Sequence, residues 1–311
     1  MLDTRIENIR KQVSQALMRN LPVERDDAWI EKLVDRPRFG WDWEALEKGF
    51  FQPLQKWSER HSAHLRPILA SLLIDALGQS SARHANLLAA LELQYLSSIM
   101  LDDLRNGRDL SEATSTFVTV PLPTWVTIAY NVRQLSPVMI ARQSSELSAT
   151  SHSWLVNRFS RLFQPGLSSA LDLWGCEQES EHSSEAEFLE HLRLYVGGLF
   201  GLACDVASAV AERDERAANS LRTAGIELGV ALRLSAMAQG SSRSLCARHA
   251  VSVEQLIRWQ RGVDPARLLS LAQQTMDRAL SMAHVAGPAA TDAFRIFSSI
   301  FEYQACEEKQ P

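Results

Sequence analysis

A chain of 311 residues is long enough to bury one large hydrophobic core or two modest ones. With 46% hydrophobic and 22% charged residues it has the balance of a globular protein; a net charge of −5, with no basic stripe interleaved with aromatics, excludes a general nucleic-acid binder. Cys176, Cys204, Cys246 and Cys306 lie far apart with no CxxC pair, which suits reduced thiols in a cytoplasmic protein and argues against a disulfide framework or a zinc site.

The first residues, MLDTRIENIRKQ, are charged and lack the apolar core of a signal peptide. Residues 1–38 read as a helical extension and 39–311 as the core of a single domain. The segment FGWDWEALEKGFFQPLQKW, 39–57, reads as an amphipathic helix laid on that core. Apolar residues at three- and four-residue steps then predict helices over Leu65–Leu77, Ala85–Leu101, Trp125–Arg142, Phe188–Ala211, Leu221–Gln239 and Ala266–His284. Turn residues punctuate them at Gly78, Pro121–Pro123, Pro165–Gly166, Gly240 and Gly287–Pro288. The acidic run Glu177–Glu190 reads as a solvated connection and a helix start. The most apolar stretch, Tyr195–Ala211, contains Asp205 and three glycines and is short for a membrane span, so it reads as a buried core helix and no transmembrane segment is expected. Nothing alternates with period two. The predicted fold class is all-α, a single large helical bundle.

One stretch carries chemistry. In YLSSIMLDDLRN, Asp102 and Asp103 close an apolar helix, and Asn106 stands four residues after the first acid. Positions i and i+4 share a helix face. Two carboxylates at that spacing can hold Mg²⁺ between themselves and phosphate oxygens, whereas an asparagine offers an oxygen without a charge. Taken alone, an Asp-Asp pair at a helix end is also what a solvated C-terminus looks like.

The neighbouring segments give the pair a context. HLRPILASLLIDALG (64–78), ALELQYLSSIMLDDL (90–104), TWVTIAYN (124–131), WGCEQE (174–179), YVGGLF (195–200) and ELGVALRLSAMAQ (227–239) resemble, in order and spacing, the GGKRxRPxL, first DDxxD, AIxAGN, GQxxD, KTxxLF and LGxAFQxxDDxxD segments of the trans-isoprenyl diphosphate synthase family. The resemblance implies the isoprenoid synthase bundle with a central apolar cavity, Mg²⁺ as cofactor, a prenyl diphosphate substrate and a homodimer. By that resemblance Asp102 and Asp103 are the catalytic and metal-binding acids, with Asn106 as a weakened third ligand. Arg66 keeps a diphosphate-binding position, while the lysine and histidine that accompany it in the family fall on Ala63 and Tyr95. The Arg-Arg-Gly after the first motif falls on Ser111-Glu112-Ala113, leaving Arg105 or Arg108 as substitutes. The second acidic motif falls on Ala236-Met237-Ala238-Gln239-Gly240, which holds no metal ligand of consequence.

Ionising an allylic diphosphate concentrates negative charge on the leaving group, so the loss of one metal-binding wall must be made good by another cation. Arg233, in the family's glutamine position just before the lost motif, can pair bidentately with a diphosphate. Alternatively it forms an interhelical ion pair with Glu227 or Asp205. The aromatics Tyr95, Phe117, Trp125, Tyr195 and Phe200 are expected along the cavity, where ring faces stabilise carbocations. Tyr95 and Tyr195 replace polar family residues and read as closing or reshaping the co-substrate pocket. Three functions remain open. The first is a divergent class I enzyme that ionises a prenyl diphosphate, then cyclises it or passes it to a non-standard acceptor. The others are an inert subunit that regulates or completes an active prenyl synthase, and a prenyl- or lipid-binding protein.

Overall fold

The computed structural model describes residues 2–21, 43–61, 63–105, 121–161, 184–239 and 264–307, all helical or turning between helices, with no strand among them. Among the described residues, ten helices follow in chain order. α1 spans Leu2–Asn20; α2 runs from Trp43–Leu46 through a π turn, Glu47–Phe51, into Gln52–His61. Next come α3 (Leu65–Ala76), α4 (Ala85–Arg105), α5 (Leu122–Arg142) and α6 (Ala149–Arg161). α7 (Glu185–Val210) includes a π turn at Arg193–Gly197. α8 (Glu215–Ala238), α9 (Pro265–Ala286) and α10 (Pro288–Glu307) complete the set.

α3 is the axis of the bundle. Its residues Leu65 through Ile74 are buried without interruption, and a helix apolar all round belongs in an interior. α1, α4, α7 and α10 pack around it. α7, long and apolar enough to cross a membrane, lies mostly inside the bundle, with every residue from Gly198 to Val210 buried. It is therefore the core helix that its sequence predicts.

Helix ends follow from short-range chemistry. The Ser184 hydroxyl accepts from the Glu187 amide, and the Glu187 side chain takes the Ser184 amide, a reciprocal cap that starts α7 inside the acidic run. Asp214 caps α8, and Asp264 followed by Pro265 starts α9. Gly287, at φ +127, separates α9 from α10 with a backbone few other residues adopt.

Two contacts fix how the central helices meet. Along α7 and α8, Gly197 and Gly201 face Gly225 and Gly229 so closely that the backbones touch. A Cβ on Gly225 would lie 2.6 Å from the Phe200 carbonyl oxygen and 2.6 Å from Cys204 Sγ, and one on Gly229 would lie 3.0 Å from the Gly197 Cα. Between α4 and α5 the bond is reciprocal: the Ser97 hydroxyl donates to the Ala129 carbonyl at 2.9 Å, and the Ser136 hydroxyl donates back to the Ala90 carbonyl at 3.1 Å.

α1, expected as an extension, is part of the core: Ile6, Ile9, Val13, Ala16 and Leu17 are buried against α3 and α4. Polar contacts fasten it. Arg5 pairs with Asp75 at 2.6 Å, and Asn20 donates to Asn86 at 3.2 Å. The Ser14 hydroxyl lies 3.1 Å from His64 Nε2, whose Nδ1 faces Glu92 at 3.3 Å. The tryptophan-rich segment is a helix from Trp43 onward, where Trp43 stacks on Phe51 with ring centroids 5.5 Å apart.

Candidate active site

The acidic pair stands on a well-held helix. α4 continues four residues past the predicted end at Leu101, and the backbone of Asp102 and Asp103 falls in its last turn. Position 102 lies three residues after Ile99 and seven after Tyr95, on one stripe of the helix, and both of those residues are buried. Arg105 ends the helix. Asn106, Arg108 and Phe117 lie outside the described residues.

Arg66, Tyr95 and Phe200 come together from three helices, α3, α4 and α7. The Arg66 guanidinium carbon lies 3.7 Å from the centroid of the Tyr95 ring and 4.6 Å from that of Phe200, over the ring of each. All three side chains are buried, Arg66 at 1% exposure, and its Nε and Nη2 make no hydrogen bond. The glycine seam sets this contact: the Phe200 ring rests against Gly229, 2.8 Å from where a Cβ would stand, and turns its edge to Phe297 with centroids 6.1 Å apart.

Tyr195, in the π turn of α7, is half-buried and packs on His191 with centroids 4.5 Å apart. Trp125 is fully buried on α5. Tyr195 therefore shapes a different part of α7 from the one that meets Arg66.

Arg233 is buried on α8, one turn beyond Gly229 on the stripe that meets α7. The two acids considered as its partners are engaged by other arginines. Arg193 donates to Glu227 at 2.7 Å, while Arg222 and Arg158 close on Asp205, Arg158 at 3.9 Å. Burial pushes the Asp205 carboxyl up to about 6 against the pull of Arg222 and Arg158. The adjacent Cys204 thiol is also raised, chiefly by burial and then by Asp205, so it is an inert interior group.

The end of α8, where the resemblance has its second acidic motif, reads Ala236, Met237, Ala238 and Gln239, with Ala236 buried. No group of three or more histidine, cysteine or acidic side chains that could hold a metal occurs among the described residues. The end of α8 therefore offers no acidic ligand among the described residues, and the backbone of Asp102 and Asp103 lies in the last turn of α4.

The sequence signal for the glycine seam is the spacing itself: Gly197 and Gly201, and Gly225 and Gly229, are each four apart in apolar helices, placing small residues on one stripe. For the stacking of Arg66 there is no local signal, since its partners lie 29 and 134 positions away in the numbering.

No protein-family model matches the chain, and no curated protein matches it in sequence. Solved structures do. An FPP/GFPP synthase from Zymomonas mobilis superposes with a TM-score of 0.73 at 16% identity, over 97% of this chain and 98% of that one. A geranylgeranyl pyrophosphate synthetase from the archaeon Geoglobus acetivorans gives 0.71 at 15% identity, over 97% and 99%. A polyprenyl synthase from Caulobacter crescentus, complexed with calcium and isoprenyl diphosphate, gives 0.67 at 13% identity, over 96% of each chain. End to end, this chain has the all-α fold of the prenyl diphosphate synthases.

Proposed function

We propose that the protein is a divergent class I enzyme that binds an allylic prenyl diphosphate through Mg²⁺ at Asp102 and Asp103 and ionises it. The cation is then cyclised or passed to an acceptor other than the usual homoallylic diphosphate. What carries this reading is the acidic pair in the last turn of α4, on the stripe that carries Tyr95 against Arg66, in a fold whose Caulobacter representative was captured with calcium and isoprenyl diphosphate.

Bound at the pair, the metal would neutralise the departing diphosphate. The chain's own contribution is the apolar interior, which excludes water from a carbocation, and fixed cations near the leaving group. Arg233 is the buried guanidinium that supplies part of the charge missing from the α8 wall; Arg105 and Arg108 follow the acidic pair and grip the diphosphate from that side. Tyr95 fills the co-substrate position by stacking on Arg66, which speaks against ordinary elongation with isopentenyl diphosphate.

The protein works as a cytoplasmic homodimer on this reading. On α5, Leu122, Val126 and Tyr130 are exposed at successive four-residue steps, forming an uncharged stripe suited to a second copy.

The test is incubation with geranyl, farnesyl and geranylgeranyl diphosphates and Mg²⁺, following pyrophosphate release. Release that depends on magnesium and disappears in Asp102→Asn is the expected result. Absence of release from every substrate, with and without cell extract as an acceptor source, would refute the enzymatic reading. The bare end of α8 favours a second reading: an inert subunit that completes or regulates an active prenyl synthase, recognisable by co-purification with that enzyme. A prenyl or lipid ligand extracted from the purified protein without turnover would instead mark a binding protein.

A further inference from the structure

The Arg66 guanidinium combines three properties. It is a full positive charge inside the protein, its faces are covered by aromatic rings, and one edge is unused. No carboxylate among the described residues pairs with it: Glu92 is held by His64, Glu227 by Arg193, and Asp205 by Arg222 and Arg158. Tyr95 and Phe200 satisfy the cation through their π faces at 3.7 and 4.6 Å. They cannot satisfy the in-plane donors. Nε and Nη2, which carry the two parallel N–H bonds of the guanidinium side edge, have no hydrogen-bond partner at 1% exposure. A buried donor without an acceptor is destabilising, so a site holding two in parallel is shaped for an anion with two coplanar oxygens.

We infer that this edge binds the carboxylate of a flat, singly charged organic acid, such as an aromatic or conjugated acid. Charge decides between anions. One guanidinium neutralises one carboxylate, whereas a diphosphate with roughly three charges would leave two of them buried and unpaired. The positions that would supply further cations beside Arg66 hold Ala63 and Tyr95, and His64 is already turned toward Ser14 and Glu92.

Resting on the proposed function, the acid is the acceptor of the prenyl group. The prenyl C1–O bond breaks with both electrons leaving on the diphosphate. A π pair of the acid forms the new C–C bond to C1, and the proton displaced from that carbon passes to a diphosphate oxygen. The Arg66–carboxylate pair fixes the acid's orientation and takes no part in the bond changes.

The experiment measures binding to the full chain by titration calorimetry and ligand-observed NMR, with no prenyl diphosphate present. Its outcome is thus separate from that of the pyrophosphate-release test. Benzoate is the planar probe, cyclohexanecarboxylate the non-planar one and inorganic pyrophosphate the competing anion. Saturable benzoate binding is expected, at least tenfold tighter than that of cyclohexanecarboxylate and not displaced by equimolar pyrophosphate without Mg²⁺. Arg66→Lys keeps the charge, loses the parallel donors and should weaken benzoate at least tenfold; Arg66→Gln should abolish binding, with helical circular dichroism confirming the fold. If Arg66→Gln does not fold, Arg66→Lys decides. The exposed control Arg295→Gln should bind as wild type. Absence of saturable benzoate binding, equal binding by Arg66→Lys, or displacement of benzoate by pyrophosphate would overturn the assignment.

Discussion

Adding one methyl group at Gly225 tests the backbone contact between α7 and α8 directly. The new Cβ would stand 2.6 Å from the Phe200 carbonyl oxygen, where ordinary contact begins at 3.4 Å, so the helices must part by about 0.8 Å or bend. The obstacle is backbone as well as the Cys204 sulfur, and backbone has no alternative rotamer to adopt. Overpacking of this kind costs about 1–3 kcal/mol, toward the upper end where the obstacle is rigid. Replacing a mid-helix glycine returns up to about 1 kcal/mol of helix propensity. At about 2.1 cal/mol/K of unfolding entropy per residue, a net loss of about 2 kcal/mol in this chain of 311 residues corresponds to a fall in melting temperature of roughly 3 °C. Gly49 is the internal comparison: it also sits in helical backbone, and a Cβ there meets nothing within 4 Å, so Gly49→Ala should hold or raise the melting temperature. Thermal unfolding followed by circular dichroism on the two variants separates propensity from contact. If Gly225→Ala melts at or above wild type, the helices are not in backbone contact and the placement of Phe200 over Arg66 loses its explanation.

The buried Asp205 predicts a pH dependence. Its folded value is raised from 3.8 to about 6, so the folded state holds the proton more tightly than the unfolded chain does. The stabilisation is complete below about pH 4 and disappears as pH rises through 6, a loss of about 3 kcal/mol for two pH units. Asp205→Asn should flatten the change in denaturant stability between pH 4 and 7; equal slopes in the two proteins would contradict the assignment. Arg233→Gln should weaken pyrophosphate binding in the presence of Mg²⁺ by about 1.5–3 kcal/mol, roughly ten- to hundredfold, while the far-UV spectrum stays unchanged. Calorimetry showing wild-type affinity would remove Arg233 from the diphosphate site. Val126→Glu combined with Tyr130→Glu should convert a dimer to a monomer by light scattering, with little change in monomer stability because both side chains are exposed at 46% and 61%.

Much of the fold was legible because apolar spacing is a local property that burial then rewards. The helix predicted over Leu65–Leu77 is Leu65–Ala76, and the one over Trp125–Arg142 is Leu122–Arg142. Where ends moved, capping moved them: α8 begins at Glu215 rather than Leu221 because Asp214 holds the Ala217 amide. α4 outlasts its apolar run because its last turn needs no burial to continue its hydrogen bonding. The π turn of α7 left no trace in periodicity. The candidate site was legible only as a set of positions. That Arg66 would lie between Tyr95 and Phe200, and that Glu227 and Asp205 would go to Arg193, Arg222 and Arg158, are choices made by helix packing among several possible partners. The role of α1 was hidden for the same reason: its buried face is sparse, and Ser14 and Asn20 gain meaning only opposite His64 and Asn86.

The reciprocal serine bonds between α4 and α5 have a mechanical consequence. Greasy helices slide past one another with little directional resistance, but here each helix offers a hydroxyl to a carbonyl of the other, two turns or so apart along the contact. A shift of either helix along its axis breaks both bonds at once and strands buried hydroxyls. The pair therefore behaves as a ratchet locked at one tooth. Whatever meets the end of α4 meets a strut that cannot advance or retreat, so any adjustment around it falls to side chains and not to movement of the acidic turn itself.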